Sequence, residues 1–366
     1  MSQTGTYSLK DLINDSRPAA EVGYRNVLAM VNAELAAYNA LMSESLSALA
    51  TTTTERMEGA ATGSNPRMIP VDEYGRPRTQ KGGAVGERGF PLEKGVFAAG
   101  FTNEFLEEAT VGQIMKATQD AQVADTFSTR HDLMRALLRP TNYDFTEYMT
   151  VPEGRQALKV NVKALYNGDT EAPVAANGTR LAAGHNHYLY NNGLSIAAAE
   201  ALSATVGEHS TGNRVVIMIN AGDAGQWRAL DGFVAATPMT ILNPFTQAMT
   251  TINLDITQTD NRTIGVLADG TEVQTKPWMP KDYAVAINMN GPRPLKRRVH
   301  AKVGKRGLRL EGTNAALPLQ ADYWRNYQGF GASNRGAAAV LYYKAGAVAY
   351  VAPDFSDWND EEGSVE

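Results

Sequence analysis

The chain has 366 residues, 43% apolar and 20% charged, with no cysteine and a formal net charge of −5. That length fits about two domains with ample core. The absent thiols exclude disulfides, thiolate zinc sites and cysteine nucleophiles, and the charge excludes a protein that coats nucleic acid with its whole surface. No apolar run approaches the ~18 residues of a membrane span, and the polar N-terminus lacks a signal-peptide stretch. A cytosolic product is expected.

Residues 1–17 read as an extended arm. A helix is predicted from Ser16 and Pro18, with Tyr24, Leu28, Val31, Leu35, Tyr38, Met42, Leu46 and Leu49 forming one stripe at steps of three and four. Thr51 to Thr54 continue a helix poorly. Residues 63–100 then interleave eight glycines and four prolines with ten charged residues. Their apolar arms are Met68 to Val71 at one end and Phe90 to Phe97 at the other. Long loops inside compact domains are uncommon. Paired as a hairpin at ~3.3 Å per residue, these arms would reach about 50 Å, farther than one domain covers. Such a hairpin is either floppy or lies on another subunit.

A second long helix is predicted over 102–139, capped by Thr102, anchored by Phe105, Ile114, Met115, Ala121, Phe127, Met134 and Leu138, and stopped by Pro140. Uninterrupted it would span about 57 Å, although Gly112 could break it. Residues 142–190 carry short strands and turns. The pattern then alternates: helices over 194–206 and 223–230, and strands over 214–220, 252–256, 263–267, 272–275 and 283–288. The apolar stretches 337–343 and 347–351 suggest a hairpin. The last thirteen residues hold six acids and no base.

Little catalytic chemistry is legible. His185 and His187, two apart on one strand face, could suit zinc or iron. Their only sequence-near third ligands are Asp169 and Glu171, so a polar loop or interface element is the preferred reading. Phosphate loops and a Gly-x-Ser-x-Gly elbow are missing. Neither an enzyme nor a cofactor is expected. Arg293, Lys296, Arg297, Arg298, Lys302, Lys305, Arg306 and Arg309 place eight cations in seventeen residues. Without interleaved aromatics they read as a subunit contact or solvated face rather than a nucleic-acid site. Charge reversal of Arg297 and Arg298 is expected to impair assembly more than folding.

The order of these elements resembles the tailed-phage (Caudoviricetes) major capsid proteins of the Hong Kong 97-type fold, an α+β class. The matching pieces are Arg214 to Asn220 with the helix after it, and Thr263 to Leu267 followed by Lys276-Pro-Trp-Met-Pro280 and Tyr283 to Ile287. Gly307 to Glu311 and Val340 to Pro353 complete them. The resemblance implies an N-arm with an amphipathic helix (1–54) and an extended E-loop hairpin (55–100). It also implies a peripheral domain with a long spine helix (101–150 plus 291–340) and an axial α/β domain (151–290 plus 341–366). Its function would be the self-assembling icosahedral head shell of a double-stranded DNA bacteriophage, a structural virion protein made in the host bacterial cytoplasm. Ile69, Val71, Arg76, Arg78, Lys81, Glu87, Arg88, Phe90 and Phe97 would contact a neighbouring subunit. Partners would be further copies in hexamers and pentamers, a separate scaffold protein, the portal, non-specifically held DNA and, in some particles, decoration proteins; a membrane is not among them. The competing readings are an encapsulin-type nanocompartment shell and, from a different class, a metal-dependent enzyme using His185 and His187.

Overall fold

The computed structural model describes residues 12–62, 84–98, 108–151, 154–171, 173–182, 184–210, 214–236, 239–242, 249–252, 262–312 and 321–355, with isolated positions between them. Its helices are α1 (Ala19–Val22), α2 (Tyr24–Leu46), α3 (Val111–Leu138), α4 (Ile196–Gly207) and α5 (Ala224–Arg228). The first strands are β1 (Ala50–Thr53), β2 (Met57–Thr62), β3 (Ala84–Gly89), β4 (Glu93–Ala98), β5 (Tyr143–Val151), β6 (Gly154–Val162), β7 (Tyr188–Tyr190) and β8 (Val215–Asn220). They are followed by β9 (Val234–Ala235), β10 (Met239–Leu242), β11 (Met249–Ile252), β12 (Arg262–Val266), β13 (Glu272–Lys276) and β14 (Tyr283–Asn288). The last are β15 (Leu295–Val299), β16 (Arg309–Gly312), β17 (Ala321–Ala332) and β18 (Ala338–Tyr342). Among the described residues no helix is long and apolar enough to cross a membrane.

The chain divides into two units. Unit 1 comprises Met1–Arg56, Pro91–Leu133 and Arg297–Phe330. Its N-terminal stripe is two helices, not one. Gly23 takes φ of 90°, a left-handed conformation that glycine adopts without strain, and separates α1 from α2. Val27, Val31 and Leu35 of α2 then bury against Val111, Ile114 and Met115 of α3, together with Leu308 and Trp324.

The long helix starts at Val111 rather than at Thr102; residues 101–107 lie outside the described set. Thr110 and Gln113 form a reciprocal cap. The Gln113 amide donates to Thr110 Oγ1 (3.3 Å), and the Thr110 amide donates to Gln113 Oε1 (2.9 Å). The Val111 and Gly112 amides donate to the carbonyls of Arg17 (3.0 Å) and Asp15 (2.9 Å). Gly112 is a point of close approach instead of a break, since a Cβ there would sit 2.3 Å from the Ile13 carbonyl oxygen.

Further along α3 the buried face turns polar at Thr118, Gln122, Asp125 and Thr129, again steps of three and four. Asp125 accepts from Tyr38 OH (2.9 Å) and Asn326 Nδ2 (2.7 Å). Gln328 donates to Thr129 Oγ1 and accepts from Arg297 Nε (2.9 Å). Burial pushes the Asp125 carboxyl and the Tyr38 phenol up. The sheet beneath runs β1-β15-β17-β16, and β4 pairs antiparallel with β17.

Unit 2 comprises Met57–Phe90, Met134–Lys296 and Gly331–Glu366. It is built on a seven-stranded mixed sheet of order β7-β18-β14-β8-β13-β12-β9. All six residues of β14 are buried. Leu202 and Val206 of α4 and Trp227 of α5 close an apolar core over Ile217, Ile219, Val273 and Leu341. Trp227 Nε1 donates to Tyr343 OH (3.2 Å), which donates to Asp223 Oδ2 (2.8 Å), so the indole and phenol are not left unpaired.

Two expectations change in this unit. Of the expected strand at 252–256 only Ile252 is described, in β11 paired with β10, and residues 253–256 lie outside the described set. Residues 347–351 form no strand; Tyr350 packs its ring against Tyr188, Tyr283 and Tyr342 and donates to the Leu138 carbonyl (2.6 Å). Where short strands and turns were expected over 142–190, the β5–β6 hairpin has strands of nine residues each.

Candidate functional site

The glycine-rich segment is rooted by β2 and β3, which pair from Met57↔Gly89 to Thr62↔Ala84. Among the described residues the paired arms are therefore 57–62 and 84–89; of the expected arms, residues 93–97 pair instead with β17, and Ile69 and Pro70 lie outside the described set. The root is tightly held within unit 2. A Cβ at Gly89 would lie 2.4 Å from the Val160 side chain and 2.6 Å from the Asn161 carbonyl oxygen. Glu58 accepts from Lys296 Nζ (2.7 Å) and from Ser333 Oγ (3.1 Å). Those hydrogen bonds, the lysine's first, hold the Glu58 carboxyl below the usual carboxylate range.

Three residues expected on a neighbouring copy are committed within their own chain. Phe90 is fully buried, with Lys296 over its ring. Arg88 donates to Glu171 Oε1 (2.7 Å) and to the Ser333 carbonyl. Phe97 is half-buried on β4 with its ring 5.9 Å from Trp324. Val71 and Glu87 are exposed. Ile69, Arg76, Arg78 and Lys81 lie outside the described residues.

The basic run also divides. Arg297 and Arg298 are buried on β15, so reversing their charge would strike folding before assembly, contrary to expectation. Burial lowers the Arg297 guanidinium. Lys296 is taken by Glu58, Arg309 by Glu311, and Arg293 donates to the Met289 carbonyl (2.9 Å). Only the turn between β15 and β16 exposes its cations: Lys302, Lys305 and Arg306. Unit 1 also exposes apolar side chains, with Leu41 on α2 59% exposed and Val123 and Phe127 on α3 48% and 50%. Phe127, read from the sequence as a core anchor, is therefore on the outer face.

His185 and His187 meet partners the sequence did not suggest. Asp169 and Glu171 are engaged by the buried Arg335 at 2.9 and 2.7 Å. The third imidazole is His209, just past the end of α4, with Glu208 beside it. The three Nε2 atoms lie 2.9–3.1 Å apart. Burial pushes His187 down to about 3 and also lowers His209. No spacing rule links residue 187 to residue 209; only the return of α4 across the sheet does.

No protein-family model and no curated protein matches the sequence. Solved structures do match. A chain from Mycobacterium phage Patience superposes with a TM-score of 0.63 at 22% identity, over 97% of both chains. The capsid of an empty GTA particle superposes at 0.45 with 11% identity, over 83% of this chain and 90% of that one. The holo-SrpI encapsulin complex of Synechococcus elongatus superposes at 0.42 with 10% identity, over 82% and 87%. The end-to-end agreement with the phage Patience chain, together with the rooted hairpin, the long helix α3 and the α/β sheet unit, gives this chain the Hong Kong 97-type fold.

Proposed function

We propose that this chain is the major capsid protein of a tailed double-stranded DNA bacteriophage, assembling with copies of itself into the icosahedral head shell of the virion. The observation that carries the reading is the fold likeness to the Mycobacterium phage Patience chain, which spans 97% of both chains. The mechanism is association. Leu41, Val123 and Phe127 offer apolar surface that neighbours in a shell would cover, and exposed ion pairs at ~0–1 kcal/mol each would act through repetition.

In this reading residues 1–54 are the N-arm and 55–100 the E-loop. The peripheral domain takes 101–150 plus 291–340, and the axial domain 151–290 plus 341–366. The exposed Val71 and, on β3, Glu87 remain as contacts to a neighbour, with Ile69, Arg76, Arg78 and Lys81 proposed on sequence grounds. Lys302, Lys305 and Arg306 supply the accessible part of the basic interface. Hexamers and pentamers of the chain, a separate scaffold protein, the portal, and DNA held without sequence preference are the proposed partners.

Electron microscopy of the purified full chain, alone and with the scaffold protein of its genome, tests this. Closed shells, or rings of five and six, are expected. A monodisperse monomer or dimer under both conditions would refute it. Excising residues 68–81, which leaves β2, β3 and Phe90 intact, should abolish shells while preserving the folded subunit.

A further inference from the structure

The arrangement of His185, His187, His209 and Glu208 carries chemistry that a shell subunit does not need, and the case for it is independent of the shell reading. His187 Nδ1 lies 2.6 Å from the Ala338 carbonyl oxygen, and His209 Nδ1 lies 3.3 Å from the Val174 carbonyl oxygen. A carbonyl can only accept, so in both rings the proton sits on Nδ1. Both Nε2 atoms then direct a bare lone pair toward each other across 2.9 Å. A proton on His185 Nε2 could satisfy one of them but not both, because an imidazole nitrogen has a single in-plane direction. A cation among the three nitrogens would satisfy both of these lone pairs and, with the His185 proton on Nδ1, a third.

The geometry points to a divalent metal site, of the zinc class, formed by Nε2 of His185, His187 and His209 and a carboxylate oxygen of Glu208. Tetrahedral zinc with Zn–N of about 2.0–2.1 Å requires N···N separations of about 3.3 Å. The observed 2.9, 3.0 and 3.1 Å fall short by a few tenths of an ångström. Glu208 Oε1 stands 3.0 Å from His185 Nε2 and 3.7 Å from His209 Nε2, and the four donor atoms all lie within 4.8 Å of one another. Three imidazoles and one carboxylate suit zinc or a neighbouring transition metal better than magnesium or calcium. Four protein ligands leave no open position, so the role is structural rather than catalytic.

The surroundings support the same assignment. The two Nδ1–H to carbonyl contacts are the outer-shell pattern of metal-bound histidines. His187 is fully buried, whereas the Glu208 side chain is 36% exposed and gives the ion a route in from solvent. Tyr166 stacks on His209 at 5.8 Å. Arg335 lies 4.8 Å over that tyrosine ring, but Asp169 and Glu171 meet its charge. Glycine at 336 makes the space: a Cβ there would lie 2.9 Å from His209 Cγ. A bound ion would staple the turn at 185–187 to the segment leaving α4.

The test uses the full-length, tag-free chain stripped with a chelator, then titrated with zinc against a chromophoric competitor and, separately, with cobalt(II). One zinc per chain and a tetrahedral cobalt spectrum are expected, with a zinc-dependent rise in Tm. The double variant His185→Gln/His209→Gln should lose stoichiometric binding. Gly336→Ala keeps all four donors yet crowds His209, and should weaken zinc by about 10–100-fold, as loss of outer-shell support does. Should the double variant not fold, Glu208→Gln on the exposed side decides: an altered cobalt spectrum and weaker zinc support the site. Less than one equivalent bound by the unmodified chain overturns the proposal, as does a cobalt spectrum that Glu208→Gln leaves unchanged.

Discussion

In unit 1 the helix α3 meets β17 through Asp125 with Asn326 and Thr129 with Gln328, whereas in unit 2 the strand β14 is buried at every position among Ile217, Ile219 and Leu341. The first contact is specified by hydrogen bonds and the second by volume. Apolar burial tolerates small shifts in packing, because its energy is non-directional. A polar seam tolerates few, because a displaced helix strands buried donors and acceptors at about 1–3 kcal/mol each. One unit is held to a single register, and the other is held by its mass of apolar contact.

The largest effect should come from Arg297→Glu, which places an anion in the seam near Asp125. Breaking buried charge complementarity costs about 3–5 kcal/mol, a large part of a typical total stability of about 5–15 kcal/mol. Loss of folded soluble protein, measured by circular dichroism, is expected; normal folding with defective shells would instead restore Arg297 to the subunit interface. On the other side, Trp227→Ala should cost about 3–5 kcal/mol through its cavity, read as a fall in the denaturant midpoint of the unassembled chain. A loss under about 1 kcal/mol would mean that the unit 2 core is looser than its burial implies.

A smaller, pH-dependent effect separates the two materials. Burial raises the Asp125 carboxyl, so its contribution to stability is fully present below the unfolded-state value and is lost as pH rises through the folded-state value. Asp125→Asn should therefore remove a decline in stability with rising pH that the unmodified chain shows, seen as converging midpoints toward acid. Parallel curves for the two proteins would argue that Asp125 is solvated. The smallest effect is at the helix start, where Thr110→Ala should cost about 1 kcal/mol, measured by the same unfolding curves.

The same contrast explains what could be read from the chain. Val215–Asn220 and Tyr283–Asn288 are legible because continuous apolar runs bounded by turn residues have few other uses. Asp125 and Thr129 look like part of a solvated helix face, and nothing local distinguishes that from a buried seam whose β17 partners lie some two hundred residues away. Phe127 invites the opposite error, an apolar residue at helical spacing that faces out. Arg297 and Arg298 read as a charge run because burial depends on the strand partners, not on the strand. The capping box at Thr110 and Gln113 has the Thr-x-x-Gln signature in the sequence, but Thr102, followed by glutamates, competes with it as a helix start. His209 joins His185 and His187 only through tertiary return.

The contact between the N-terminal segment and the start of α3 sets a limit on processing. Asp15 and Arg17 supply carbonyls to the first amides of the helix, and Gly112 admits the Ile13 backbone too closely for any side chain. A protease that cut before this segment would leave the helix start intact. One that cut beyond Arg17 would sever the carbonyls that satisfy the amides of Val111 and Gly112 and uncover the groove that Gly112 keeps open. The helix start thus depends on the segment before it through backbone contacts, and is therefore indifferent to most substitutions in the segment itself.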